Sequence, residues 1–117
     1  MRMRTLDETD VISAKDKELL LALKSIVQRS LPTATVLLYG SVARGTQDSE
    51  SDYDVLILTD ARLSRDVRDM IERQVYDLEL DREVVLSTIY HTRDEWDTPI
   101  VRGSPFYREF SRDAIRL

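Results

Sequence analysis

Apolar residues recur at helical spacing in the first third of the chain, where Leu19, Leu20, Leu23, Ile26 and Val27 share one face. Ser13, with Asp16 three residues on, reads as an N-terminal cap, and Ser30-Leu31-Pro32 stops the pattern. The spacing predicts a helix over residues 14 to 30. The segment Met1 to Val11 ahead of it is polar and reads as loosely ordered. Two β-branched, apolar runs follow, Thr35 to Tyr39 and Tyr53 to Leu58, joined by a turn and the polar stretch Thr46 to Ser51.

Helical periodicity returns after Ser64, with Val67, Met70, Ile71, Val75 and Leu78 on one face. The run Glu83-Val84-Val85-Leu86-Ser87-Thr88-Ile89 predicts a third strand from Glu83 to about Tyr90. Asp94-Glu95-Trp96 suggests a helical turn, and Ser104-Pro105 opens a last helix with Phe106, Phe110, Ala114 and Leu117 on one face. Helix, strand, strand, helix, strand, helix implies an α/β (α+β) domain spanning residues 1–117, a small mixed sheet covered mainly on one face.

The candidate chemistry sits between the first two strands. A period of two puts Asp52 and Asp54 on one face at the start of the second strand. Two unpaired carboxylates about 6 to 7 Å apart repel by about 2 to 3 kcal/mol at an effective dielectric near 20. A divalent cation relieves that repulsion, and Mg²⁺ prefers oxygen ligands shared with substrate phosphates. The preceding turn supplies complementary parts. Gly40 lets backbone approach a phosphate, Ser41 offers a hydroxyl and an amide, and Arg44 offers a planar fork. Arg44 also has a plainer reading, as a surface arginine paired with Asp48 or Glu50. The turn lacks the glycine-lysine-serine/threonine ending of a Walker A loop.

Gly40, Ser41, Ala43, Arg44, Gly45, Ser51, Asp52 and Asp54 together resemble the signature of the minimal nucleotidyltransferases of the DNA polymerase beta superfamily. The resemblance implies a nucleotidyltransferase fold. It also implies transfer of a nucleoside monophosphate, AMP foremost, from a nucleoside triphosphate to an acceptor hydroxyl, with release of pyrophosphate. Asp52 and Asp54 would hold two Mg²⁺ ions, and Gly40, Ser41, Arg44 and Ser51 would hold the nucleotide. The family uses a third carboxylate on a later strand, for which Glu83 is the candidate and Asp81 the substitute. Many such proteins are antitoxins paired with a HEPN-domain ribonuclease toxin, which some of them silence by adenylylating a tyrosine, so a protein acceptor is the implied partner. The alternative of another class is a catalytically weak module that keeps nucleotide affinity and acts by masking its partner.

Composition narrows this further. Seventeen basic against 22 acidic residues give a net charge of −5, which disfavours generic nucleic-acid binding through a basic face. The absence of cysteine and the single histidine, His91, exclude thiolate or histidine metal clusters. His91 reads as a surface residue, Tyr53 as packing, and Trp96, Phe106, Tyr107 and Phe110 as closing a core. No apolar run reaches spanning length and no signal peptide is evident, so the expected location is the cytoplasm.

Overall fold

The computed structural model describes residues 3–46 and 52–117. A five-stranded mixed sheet in the order β1-β5-β2-β3-β4 organises them. The strands are β1 (Arg4–Thr5), β2 (Thr35–Tyr39), β3 (Tyr53–Thr59), β4 (Leu86–Thr92) and β5 (Ile115–Arg116). The helices are α1 (Ala14–Ser30), α2 (Gly40–Arg44), α3 (Arg65–Arg82), α4 (Arg93–Trp96), α5 (Pro99–Arg102) and α6 (Pro105–Asp113).

The hydroxyls of Ser13, Ser64 and Ser104 accept from the backbone N–H three residues on, so each longer helix begins where its cap predicts. β2 and β3 pair antiparallel, Tyr39 opposite Asp54, whereas β3 and β4 run parallel with α3 as the crossover. Period-two alternation then gives the sheet two buried faces. Val36, Leu38, Val55 and Ile57 pack under α1 and α3, against Leu20, Leu23, Val27, Ile71 and Val75. Leu37 and Leu56 point the other way, towards Phe110 and Ala114, with Tyr39, Leu58, Ile89 and Trp96 around them. The main core lies beneath the two long helices, and α4 and α6 cover the second face with an aromatic cluster. Among the described residues no helix is long and apolar enough to cross a membrane.

Three sequence expectations change. The N-terminal segment is ordered where described, because β1 pairs with β5 and Leu6 and Ile12 are buried. The last helix ends at Asp113, so Ala114 and Leu117 are not on it. Ile115 instead joins β2, opposite Leu38, and the Leu117 N–H donates to the Val36 carbonyl. Ala114 with Leu117 fits a helical period and Ile115 with Leu117 a strand period, and the open edge of β2 selects the extended one. The third strand begins at Leu86 rather than Glu83, because α3 runs on to Arg82.

Candidate active site

Tyr39 ends β2 with extended backbone, and the chain turns at once into α2. Val42 and Ala43 are buried in the main core and hold this short helix in place. Burial of a valine side chain contributes about 1.5 to 3 kcal/mol, enough to fix a single turn of helix. Gly45 closes it in the left-handed conformation, its N–H shared by the Ser41 and Val42 carbonyls. Gly40 has φ +79°, and a Cβ built on it would overlap Oδ2 of Asp54. The backbone of the glycine-serine turn therefore lies directly against the second aspartate. Only glycine serves here, for its torsion and for the close approach.

Asp54 stands on the same sheet face as Leu56 and Leu58, the face that α6 covers. Burial raises its pKa, the neighbouring Asp52 carboxylate raises it further, and the Arg44 guanidinium offsets part of the rise. The Tyr39 phenol is raised as well, by burial and then by Asp54. This local excess of negative charge suits a hard divalent cation. Among the described residues no group of three acidic, histidine or cysteine side chains could hold a metal ion. Two carboxylates leave coordination positions open for phosphate oxygens and water, which fits a metal delivered with a nucleoside triphosphate.

Tyr39, Gly40, Ser41, Arg44, Asp54, Phe106, Glu109, Phe110 and Asp113 line one cleft of about 340 Å³. The sequence signal reached the first half of this set and missed the α6 half. Arg44 is anchored by Asp113, 3.0 Å from its Nη1. Arg112 approaches the other carboxylate oxygen at 3.5 Å, and Arg4 donates to the Asp113 carbonyl. An aspartate in the last turn of a helix opposes the helix dipole by about 0.3 to 1 kcal/mol, a cost that the Arg44 pair offsets. The guanidinium keeps 42 % side-chain exposure while thus held. Ser51, Asp48 and Glu50 lie outside the described residues.

Glu83 is not brought to the aspartates. It is the C-cap of α3 in the left-handed conformation (φ 54°, ψ 48°), its N–H donating to the Glu79 carbonyl, and it is exposed. It lines a separate depression with Tyr76, Glu79, Leu80, Val84 and Val85. Asp81 lies on α3 and pairs with Arg82. The β4 residue level with Asp54 is Ser87, an uncharged side chain. Glycine is favoured at a left-handed C-cap, so Glu83→Gly is expected to raise stability by up to about 1 kcal/mol in urea unfolding and to leave nucleotide binding intact. Loss of metal-dependent nucleotide binding in that variant would return Glu83 to the site.

Tyr53 donates from its hydroxyl to Asp16 (2.7 Å) and packs on the main core, as its position on the opposite face implies. Trp96, Phe106, Tyr107 and Phe110 form a ring cluster, with Trp96 and Phe110 centroids 5.0 Å apart.

The family model for the nucleotidyltransferase domain matches residues 17–110, from early α1 into α6. No curated protein matches the chain. The matched span contains β2, β3 and β4, the glycine-serine turn and the aspartate pair. The chain thus belongs to the nucleotidyltransferase domain family, enzymes that take a nucleoside triphosphate as substrate together with a divalent metal.

Proposed function

We propose that this nucleotidyltransferase acts as a single domain in the cytoplasm, moving AMP from ATP to the hydroxyl of a protein acceptor. The acceptor is a tyrosine of a HEPN-domain toxin, for which the chain serves as antitoxin. The observation that carries the transferase reading is the close approach of the Gly40 backbone to the Asp54 carboxylate, which supports a site where backbone amides meet phosphate and carboxylate meets metal. The acceptor and the base rest on the resemblance of Gly40 to Asp54 to the minimal nucleotidyltransferases. The acidic balance of the chain, which disfavours nucleic-acid binding through a basic face, is compatible with a protein acceptor.

In this reading Gly40 and Ser41 receive the β- and γ-phosphates through backbone amides and the serine hydroxyl. Arg44, held by Asp113, supports them from the side. Asp52 and Asp54 would hold Mg²⁺, as two ions, which would supply neutralisation of the phosphate charge and polarisation of the α-phosphorus centre. The acceptor oxygen bonds to the α-phosphorus, the bond to the β-phosphate bridging oxygen breaks, and pyrophosphate leaves with the displaced electron pair. The hydroxyl proton passes to solvent or to a carboxylate. The chain contributes mainly position and a fixed arrangement of charge.

One observation favours the second reading, a weakly catalytic partner-masking module. Among the described residues β4 brings no third carboxylate level with Asp54, since Ser87 occupies that position and Glu83 caps a helix. Calorimetric titration of ATP with Mg²⁺, and again with EDTA, tests nucleotide binding. Mass analysis of a HEPN partner incubated with ATP tests transfer. Metal-dependent binding together with an AMP adduct on tyrosine supports the enzyme. Binding without an adduct supports masking, and no binding removes the nucleotide site from both.

A further inference from the structure

Phe106 and Glu109, on the α6 wall of the cleft, take no part in the phosphate and metal binding proposed above, and their chemistry is that of a base site. Phe106 is 42 % exposed although three rings fix it in place. It stands edge-on to Tyr39 (5.5 Å, 84°) and to Trp96 (6.1 Å, 86°), and stacks on Phe110 at 6.4 Å. A ring held on several sides and open towards a cleft is a preorganised stacking surface. Glu109 follows three residues later on the same helix, lines the same cleft, and has no hydrogen bond or ion pair among the described residues. An ionised carboxylate only accepts hydrogen bonds, so its complement is a donor such as an exocyclic amine.

We propose that Phe106 and Glu109 form the base-binding wall of this site, Phe106 stacking on the nucleobase and Glu109 accepting from its exocyclic amine. The site then selects nucleotides of adenine, cytosine or guanine over those of uracil. The assignment rests on the triphosphate lying at Gly40 and Ser41. Adenine and cytosine each present an amino donor where thymine, and uracil likewise, presents a carbonyl oxygen. Against Glu109 that oxygen sets acceptor against acceptor. Stacking is indifferent to base identity, so Phe106 supplies affinity and Glu109 supplies the choice.

The test measures dissociation constants for ATP, UTP and inorganic tripolyphosphate, each with Mg²⁺. The proteins are wild type, Phe106→Leu, Phe106→Trp and Glu109→Gln. Leucine keeps the apolar bulk against Trp96 and Tyr39 while removing the ring, and unchanged circular dichroism confirms the fold. Wild type is expected to bind ATP at least about 10-fold more tightly than UTP and than tripolyphosphate. Phe106→Leu is expected to weaken ATP by about 5- to 100-fold and to leave tripolyphosphate unchanged, with Phe106→Trp restoring ATP. Glu109→Gln, which can donate to a carbonyl, is expected to narrow the ATP to UTP ratio.

Tripolyphosphate binding as tightly as ATP in wild type would overturn the base wall while sparing the phosphate turn. No binding of either ATP or tripolyphosphate would overturn both. An ATP to UTP ratio of one, or an unchanged ATP affinity in Phe106→Leu, rejects the assignment of Glu109 or of Phe106 respectively.

Discussion

Asp54→Asn is expected to lower nucleotidyl transfer by about 10³-fold or more while leaving the protein as stable as the wild type, or more so. A metal ion acting on a phosphoryl centre supplies several kcal/mol of charge stabilisation, and about 4 kcal/mol corresponds to that factor. Asparagine keeps the shape of the side chain against Gly40 but removes the negative charge that holds the cation. Stability moves the other way because burial and Asp52 raise the Asp54 pKa in the folded protein. A carboxylate with its folded pKa above its unfolded one gives up its proton first in the unfolded chain. The ionised form therefore costs the native state stability, and the whole cost is present above the folded pKa. As pH falls through the folded pKa towards the unfolded one, the cost disappears. In EDTA, Asp54→Asn should thus exceed wild type in urea midpoint at neutral pH, and the difference should close as pH falls through the carboxylate range. Equal transfer rates for the two proteins would remove Asp54 from the mechanism. A variant less stable than wild type at neutral pH would show that Asp54 is a structural residue.

Gly40→Ala is expected to damage both fold and function. At φ +79° a side chain costs about 1 to 2 kcal/mol from torsion alone, and the added Cβ would also displace the Asp54 carboxylate. Movement of Asp54 shifts the metal ligand relative to the phosphate-binding amides, and a 1 Å misplacement costs about 10²-fold in rate. Gly45→Ala is the matched control. Its φ of +75° carries a similar torsional cost, but its Cβ would meet only the Val11 side chain, at 3.0 Å. Both variants should unfold at lower urea concentration. Gly40→Ala alone should lose metal-dependent ATP binding, measured at a temperature where circular dichroism shows both folded. Equal loss of binding in the two would attribute the effect to α2 as a whole, and retained binding in Gly40→Ala would place the phosphates elsewhere.

The long amphipathic helices and the two central strands were legible because each carries its own period and boundary. Ser13 and Ser64 cap helices whose apolar stripes are unbroken, and the runs to Tyr39 and from Tyr53 are β-branched between polar breaks. Glu83 was misplaced for a local reason. Val84, Val85 and Leu86 read as strand, yet the helical hydrogen-bond ladder extends to Arg82, and the cap must then turn back in the left-handed region. That conformation is uncommon for glutamate and leaves no mark in the sequence. Ile115 to Leu117 is too short for periodicity to decide, and the unpaired edge of β2 decided it.

What the sequence by itself determined about this protein is the core of its proposed chemistry. Gly40 and Ser41 open α2 directly after β2, while Asp52 immediately precedes and Asp54 lies on β3, the antiparallel neighbour of β2, all within fifteen residues, so closeness along the chain enforces closeness in space. Only the tertiary structure decided what surrounds them. Asp113 reaches Arg44 across 69 residues, and Phe106 and Glu109 reach the aspartate cleft because α6 packs on the same sheet face as Asp54. Those meetings follow from which apolar face of α6 the second core buries, a choice made by Trp96, Phe110, Leu37 and Leu56 together and encoded in none of them singly.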